Sequence, residues 1–98
     1  MKKLTMAKLY KIDGIVVDVE PKDKKNGFQL QELYDLIGCD LIQPVCFMKG
    51  KWFICDEEGW LKPGARRNEK ANEYIIGLTG DDWNVCGNVI ICNDEEFK

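Results

Sequence analysis

The stretch GARRNEKAN, residues 64–72, places Arg66 and Arg67 side by side, and they are the only arginines in the sequence. A guanidinium group presents planar paired donors that match phosphate oxygens better than the point charge of a lysine. The pair precedes a segment of helical periodicity, so free backbone N–H groups and the positive end of a helix dipole would add to the field an anion meets. Trp60, shortly upstream, offers a face for stacking a nucleobase, a contact worth about 1–3 kcal/mol per base. Asn68 and Asn72 offer amide edges for base or ribose. Arg66, Arg67, Trp60, Asn68 and Asn72 therefore form the candidate ligand-binding set, a phosphate clamp beside a stacking surface. The same arginines have a plainer use, pairing with Glu57, Glu58 or Glu69 at the surface for about 0–1 kcal/mol per pair. A cation ahead of a helix N-terminus is disfavoured when no anion is present, which keeps the ligand reading in view.

Catalytic chemistry finds less support. Asp81-Asp82 and Glu57-Glu58 are paired carboxylates, but adjacent acids on turns are usually solvated, and the alternating acids of a calcium loop are missing. The sequence has no histidine, so no nucleophile has an imidazole base, and there is no Gly-rich phosphate loop. The expectation is binding without catalysis, metal or cofactor. Cys39, Cys46, Cys55, Cys86 and Cys92 are odd in number, lie in apolar surroundings and form no C-x-x-C pair. They read as buried reduced thiols, in a reducing compartment.

A sequence of 98 residues is expected to form one domain, residues 1–98. Its 14 basic and 17 acidic side chains give a formal charge of −3, a poor basis for the counterion release that drives binding to duplex DNA. The start, MKKLTMAKLY, lacks the apolar run of a signal peptide, and no stretch approaches the roughly 20 apolar residues of a membrane span. A cytoplasmic protein is expected, with neither duplex DNA nor a membrane as partner.

The elements that would position the candidate residues follow from pattern. Asp13-Gly14 lies between β-prone runs and reads as a two-residue hairpin turn, both central residues at positive φ. Ile15, Val17 and Val19 alternate with Val16, Asp18 and Glu20, a strand with one buried face. FQLQELYDLIG places Leu30, Leu33, Tyr34 and Ile37 on one helical stripe, stopped by Gly38. A second hairpin turns at Lys49-Gly50, with Pro44 implying an edge or a bulge in its first strand. The turn DEEG, residues 56–59, leads to a second helix capped by Asn68, with Ala71, Tyr74, Ile75 and Leu78 inward and Glu69, Lys70, Asn72 and Glu73 outward. Gly77 or Gly80 ends it. WNVCGNVIIC is a last buried strand, interrupted by Gly87. The fold class is α+β, a mostly antiparallel sheet of about five strands with two helices on one face. Trp52 and Phe53 point to opposite sides of their strand, so one of them is expected off the main core or in an interface, and an oligomer contact through Trp52 or Trp83 fits that.

Leu33, Ile37 and Gly38, then Glu57, Glu58, Gly59 and Leu61, then Asn68 and Ala71 fall in an order that resembles a family of small phage and plasmid proteins. That family is catalogued as a domain of unknown function (thirty-eight forty-six). Its members are similar over L-Q-x-L-V-G-G-x-I-E, then N-E-E-G-x-L, then an Asn and an Ala-Thr pair opening a helix. The resemblance spans about residues 9–92. Cys39, Gln43, Asp56 and Asn72 depart from the pattern. It implies an α+β fold and a mobile-element origin, and no activity. Small proteins of such elements often blunt a host defence, and two expectations follow. The first is sequestration of a small anionic signalling nucleotide, of cyclic or ADP-ribose type, at the arginine set. The second is a protein-interaction module that inhibits a host defence protein, through a patch around Trp52 or through Asp94, Glu95 and Glu96. A homo-oligomer is compatible with either.

Overall fold

The computed structural model describes residues 7–22, 26–59 and 66–93. Five strands, β1 (Lys8–Tyr10), β2 (Val16–Asp18), β3 (Ile42–Met48), β4 (Lys51–Asp56) and β5 (Val89–Asn93), form one sheet in the order β2-β1-β5-β4-β3. Every neighbouring pair is antiparallel. Helix α1 (Leu30–Ile37) follows the first hairpin and α2 (Glu69–Thr79) the second. The last strand is inserted between the two hairpins, with Leu9 opposite Ile90 on one side and Ile54 opposite Ile90 on the other.

The α+β class, the antiparallel five-stranded sheet and the two helices are as the sequence implies. The placement of the helices is not, because they cover opposite faces. Tyr10, Phe53, Cys55, Val89 and Ile91 pack with Ala71 and Ile75 of α2. Leu9, Ile54, Ile90 and Cys92 pack with Phe28 and with Leu33 and Ile37 of α1. Successive side chains of a strand alternate between faces, and β4 and β5 carry large apolar residues at both parities, so neither face can be left to water. The Trp52–Phe53 problem is resolved in the same way. Phe53 is fully buried under α2, and Trp52 is half-buried against the α1 cluster, so neither is an exposed docking patch.

Several local readings are refined. In the first hairpin Gly14 alone has positive φ, and its N–H donates to the Lys11 carbonyl while the Lys11 N–H donates to that of Ile15. That is the longer loop in which a turn is closed by a left-handed glycine, not the two-residue one. Strand β2 is an edge, and instead of one buried face it leaves Val16, Val17 and Asp18 all exposed, with Ile15 exposed beside them. Pro44 does lie on an edge strand, β3, whose bulge falls between Cys46 and Met48. Helix α1 ends at left-handed Gly38 and α2 at left-handed Gly80, with Gly77 inside it. Of the cysteines, Cys55, Cys86 and Cys92 are buried, Cys39 is half-buried, and Cys46, on the edge strand β3, is exposed. All five are free thiols. No helix among the described residues is long and apolar enough to cross a membrane.

Because both faces are covered, Phe53→Ala should cost about 3–5 kcal/mol and Ile54→Ala about 2–5 kcal/mol in urea unfolding. A sheet covered on one face would tolerate one of the two. Burial, and next the Asp56 carboxylate, pushes the Cys55 thiol from 9.0 to about 12. Above pH 9 the unfolded chain gives up this proton while the folded chain keeps it, so stability should fall as pH rises from 9 toward 12. The slope of melting temperature against pH should flatten in Cys55→Ala, whatever that variant's starting stability.

Candidate functional site

The corner that holds the arginines is built by backbone and amide hydrogen bonds. Residues 66–68 run beside residues 85–87, where Arg67 bridges Cys86, the Gly87 N–H donates to the Arg66 carbonyl and the Asn68 N–H to that of Val85. Asn68 is 1% exposed. Its Oδ1 accepts the Ala71 N–H as the N-cap of α2, and its Nδ2 donates to the carbonyls of Tyr10 and Gly87. Asn72 is 0% exposed, on the inward stripe rather than the outward one. Its Nδ2 donates to the carbonyls of Asn68 and Val85, and its Oδ1 accepts the Val85 N–H. Both amides thus spend both N–H donors, and an oxygen acceptor, on the chain itself, and no base edge reaches them. Their assignment to a ligand is replaced by a structural one.

Arg67 is likewise engaged. Its Nε donates to Glu69 at 3.1 Å and its Nη1 to Asp82 at 2.9 Å and to Asn84 Oδ1 at 3.0 Å. Asp82, and after it Glu69, raise the arginine above its usual range, and Arg67 followed by the Asn84 N–H lowers the Asp82 carboxyl. Asn84 takes the left-handed conformation, φ 52°, which asparagine tolerates. Arg67 is a clip on the loop after α2, in an exposed ion pair that contributes little. Arg66 is exposed, and among the described residues no group pairs with its guanidinium. Trp60 lies outside the described residues, as do Leu61, Asp94, Glu95 and Glu96. The structure therefore joins Arg67, Asn68 and Asn72 into one network and leaves Arg66 as its solvent-facing end.

A different set of cations converges elsewhere. On the α2 side of the sheet, beyond the helix's apolar stripe, Lys8, Tyr10, Lys51, Tyr74, Ile91 and Asn93 line a cavity of about 60 Å³. Register explains the meeting, since Lys8 lies opposite Ile91, Ile91 opposite Phe53, and Lys51 opposite Asn93. Lys8 shares its face with Tyr10, and Lys51 shares its face with Phe53, so both lysines stand on core-facing parities at the open end of the covered face. The Lys8 ammonium pairs with Asp18, and Lys51 Nζ donates to Asn93 Oδ1 at 3.3 Å. The rings of Tyr10 and Tyr74 lie 6.0 Å apart, tilted by 38°. Burial, and then its neighbour Tyr74, raises the Tyr10 phenol, which stays neutral and able to donate. A lysine on the buried parity of a strand is the signal that would have marked these positions, but pairing residues 8 and 51 needs the register.

On the α1 side a wider groove of about 280 Å³ is lined by Val19, Glu20, Lys22, Glu32, Asp35 and Leu36. Its three carboxylates repel an anion, and Glu32 already accepts from the N–H groups of Lys22 and Gln29. Among the described residues no group of three or more Cys, Asp or Glu is arranged to hold a metal ion.

The fold and site together define a small α+β protein whose antiparallel sheet carries one helix on each face and a cationic, tyrosine-walled pocket at one end. The chain belongs to the family described as Domain of unknown function (DUF3846), whose model matches residues 11–98. No match is found among curated proteins or among solved structures.

Asn72→Ala leaves the buried Val85 N–H without its partner and takes one of two donors from each of the Asn68 and Val85 carbonyls, and should cost about 1–3 kcal/mol in urea unfolding. Arg66→Ala should leave the unfolding midpoint unchanged within error. The reverse pattern would mean that the corner is held by charge and not by amides.

Proposed function

We propose that this is a non-catalytic accessory protein of a phage or other mobile element, acting in the host cytoplasm. In this reading it binds a small anionic nucleotide and holds a host defence signal away from its effector. One observation carries it: in a chain of net charge −3, two lysine side chains and two tyrosine rings line a single cavity. Lysines supply donors for phosphate oxygens, and tyrosine rings give an apolar face with a polar tip for a base or sugar. The site moves from the arginine corner, whose amides are spent, to Lys8, Tyr10, Lys51 and Tyr74.

A second reading, protein interaction, draws support from the sheet edges. Strand β3 is blunted by Pro44 and a bulge, devices that discourage strand pairing, whereas β2 exposes Val16 and Val17, with Ile15 beside them, along an edge that no other strand among the described residues covers. A host protein or a second copy could add a strand there.

A thermal-shift screen against cyclic dinucleotides, cyclic trinucleotides, ADP-ribose-type compounds and linear nucleotides tests the first reading. Ligand at about 100 times its dissociation constant adds roughly 2.7 kcal/mol, a shift of order 10 °C for a domain this size. The shift should vanish in Lys8→Met plus Lys51→Met and persist in Arg66→Ala. Loss in Arg66→Ala alone returns the site to the arginine corner. A flat screen ends the sequestration reading, and a partner complex abolished by Val16→Lys would establish the edge-strand one.

A further inference from the structure

Resting on the nucleotide reading, we infer that the Lys8–Lys51 pocket takes a terminal phosphate monoester, phosphate first, in preference to a phosphodiester closed into a ring. The size of the cavity is the first reason. At roughly 10–15 Å³ of such space per water, about 60 Å³ holds a few waters. One phosphoryl group displaces about that much, while a phosphodiester enters with a sugar carbon on both sides. A chain-end phosphate fits such a space with its nucleoside still outside.

Charge is the second reason. Lys8 and Lys51 approach from β1 and β4, on either side of β5, from positions about 10 Å apart across the sheet and offset by two residues, about 7 Å, along it. A monoester carries about −1.5 to −2 at pH 7 and three terminal oxygens. It can accept from both ammonium groups at once and still offer an oxygen to Asn93 or Tyr10. A ring diester carries one charge and two free oxygens, about half the Coulombic return from the same two cations.

The third reason is competition. The Lys8 ammonium already has a carboxylate partner in Asp18 on the neighbouring strand. An incoming anion must share or displace it and also bear the repulsion of that carboxylate. A dianion does this better than a monoanion, so Asp18 sets a threshold that favours the monoester. Tyr74, on α2 beside Tyr10 and part-exposed, stands at the mouth, where the nucleoside would lie against its ring.

Calorimetric titration with a nucleoside 5′-monophosphate, its 3′,5′-cyclic counterpart and inorganic phosphate isolates the phosphate, because base and sugar are the same in the first two. The monophosphate should bind at least about tenfold tighter than the cyclic form. Lys8→Met and Lys51→Met should each weaken it by a similar factor, and Asp18→Asn should tighten it. Tyr74→Ala should weaken the monophosphate and leave inorganic phosphate unchanged. Circular dichroism of each variant guards against loss of fold, and the gain expected from Asp18→Asn cannot come from unfolding. Equal affinity for monophosphate and cyclic form overturns the selectivity and leaves the nucleotide reading standing. Cyclic ligands that bind at the lysines when the monophosphate does not overturn it too. Failure of every nucleotide, here and in the thermal screen, removes both.

Discussion

Two asparagines one turn apart, the N-cap of α2 and a residue of its first turns, tie the helix to the end of β1 and to residues 85–87, beside the short backbone pairing of residues 66–68 with 85–87. Asn68 joins the start of the helix to the end of β1 and to Gly87, and Asn72 joins the helix to both backbone groups of Val85. An amide buried without partners costs more than the bond it replaces contributes, so full satisfaction makes the arrangement all or nothing. The approach of α2 to the sheet, the path of residues 81–88 and the entry of β5 all depend on it. Arg67 adds an outer clip through Asp82 and Asn84, in water, where ion pairs are weak.

The entry of β5 matters because it completes the sheet. The two hairpins form locally, but β1 and β4 meet only across β5, whose partner Leu9 is far away in sequence. Val89 to Cys92 are buried on both sides, giving the continuous apolar run of a strand covered twice. Such long-range pairing gains nothing until the loop-closure entropy is met, which argues for late closure of both cores at once. The same insertion carries Ile91 and Asn93 between Lys8 and Lys51 and so creates the cationic pocket.

Gly38, Gly59 and Asn68, which carry part of the family resemblance, have structural work in this chain. Gly38 ends α1 in the left-handed conformation. Asp56 accepts the Glu58 N–H on its side chain and the Gly59 N–H on its carbonyl, and a Cβ on Gly59 would press on the carbonyls of Asp56 and Cys86 at 3.1 and 3.2 Å. Asn68 is the buried cap. Each shapes a turn or a helix end, so the resemblance speaks of fold more directly than of ligand.

The sequence alone carries the fold class, the element order, the end of α1 and the hairpin positions, because periodicity, capping and turn chemistry act over a few residues, and it leaves Gly77 and Gly80 both open as the end of α2. It also determined that Asn68 caps α2. Contacts between distant parts of the chain supplied the rest. They placed the helices on opposite faces, because apolar residues at both strand parities say that two covers are needed without saying which helix supplies which. They turned Asn72 inward, since an amide on a helix is polar until the backbone of Val85 is brought to meet it. They made Arg67 a clip and brought Lys8 to Lys51, because cross-strand register joins residues that no local pattern relates.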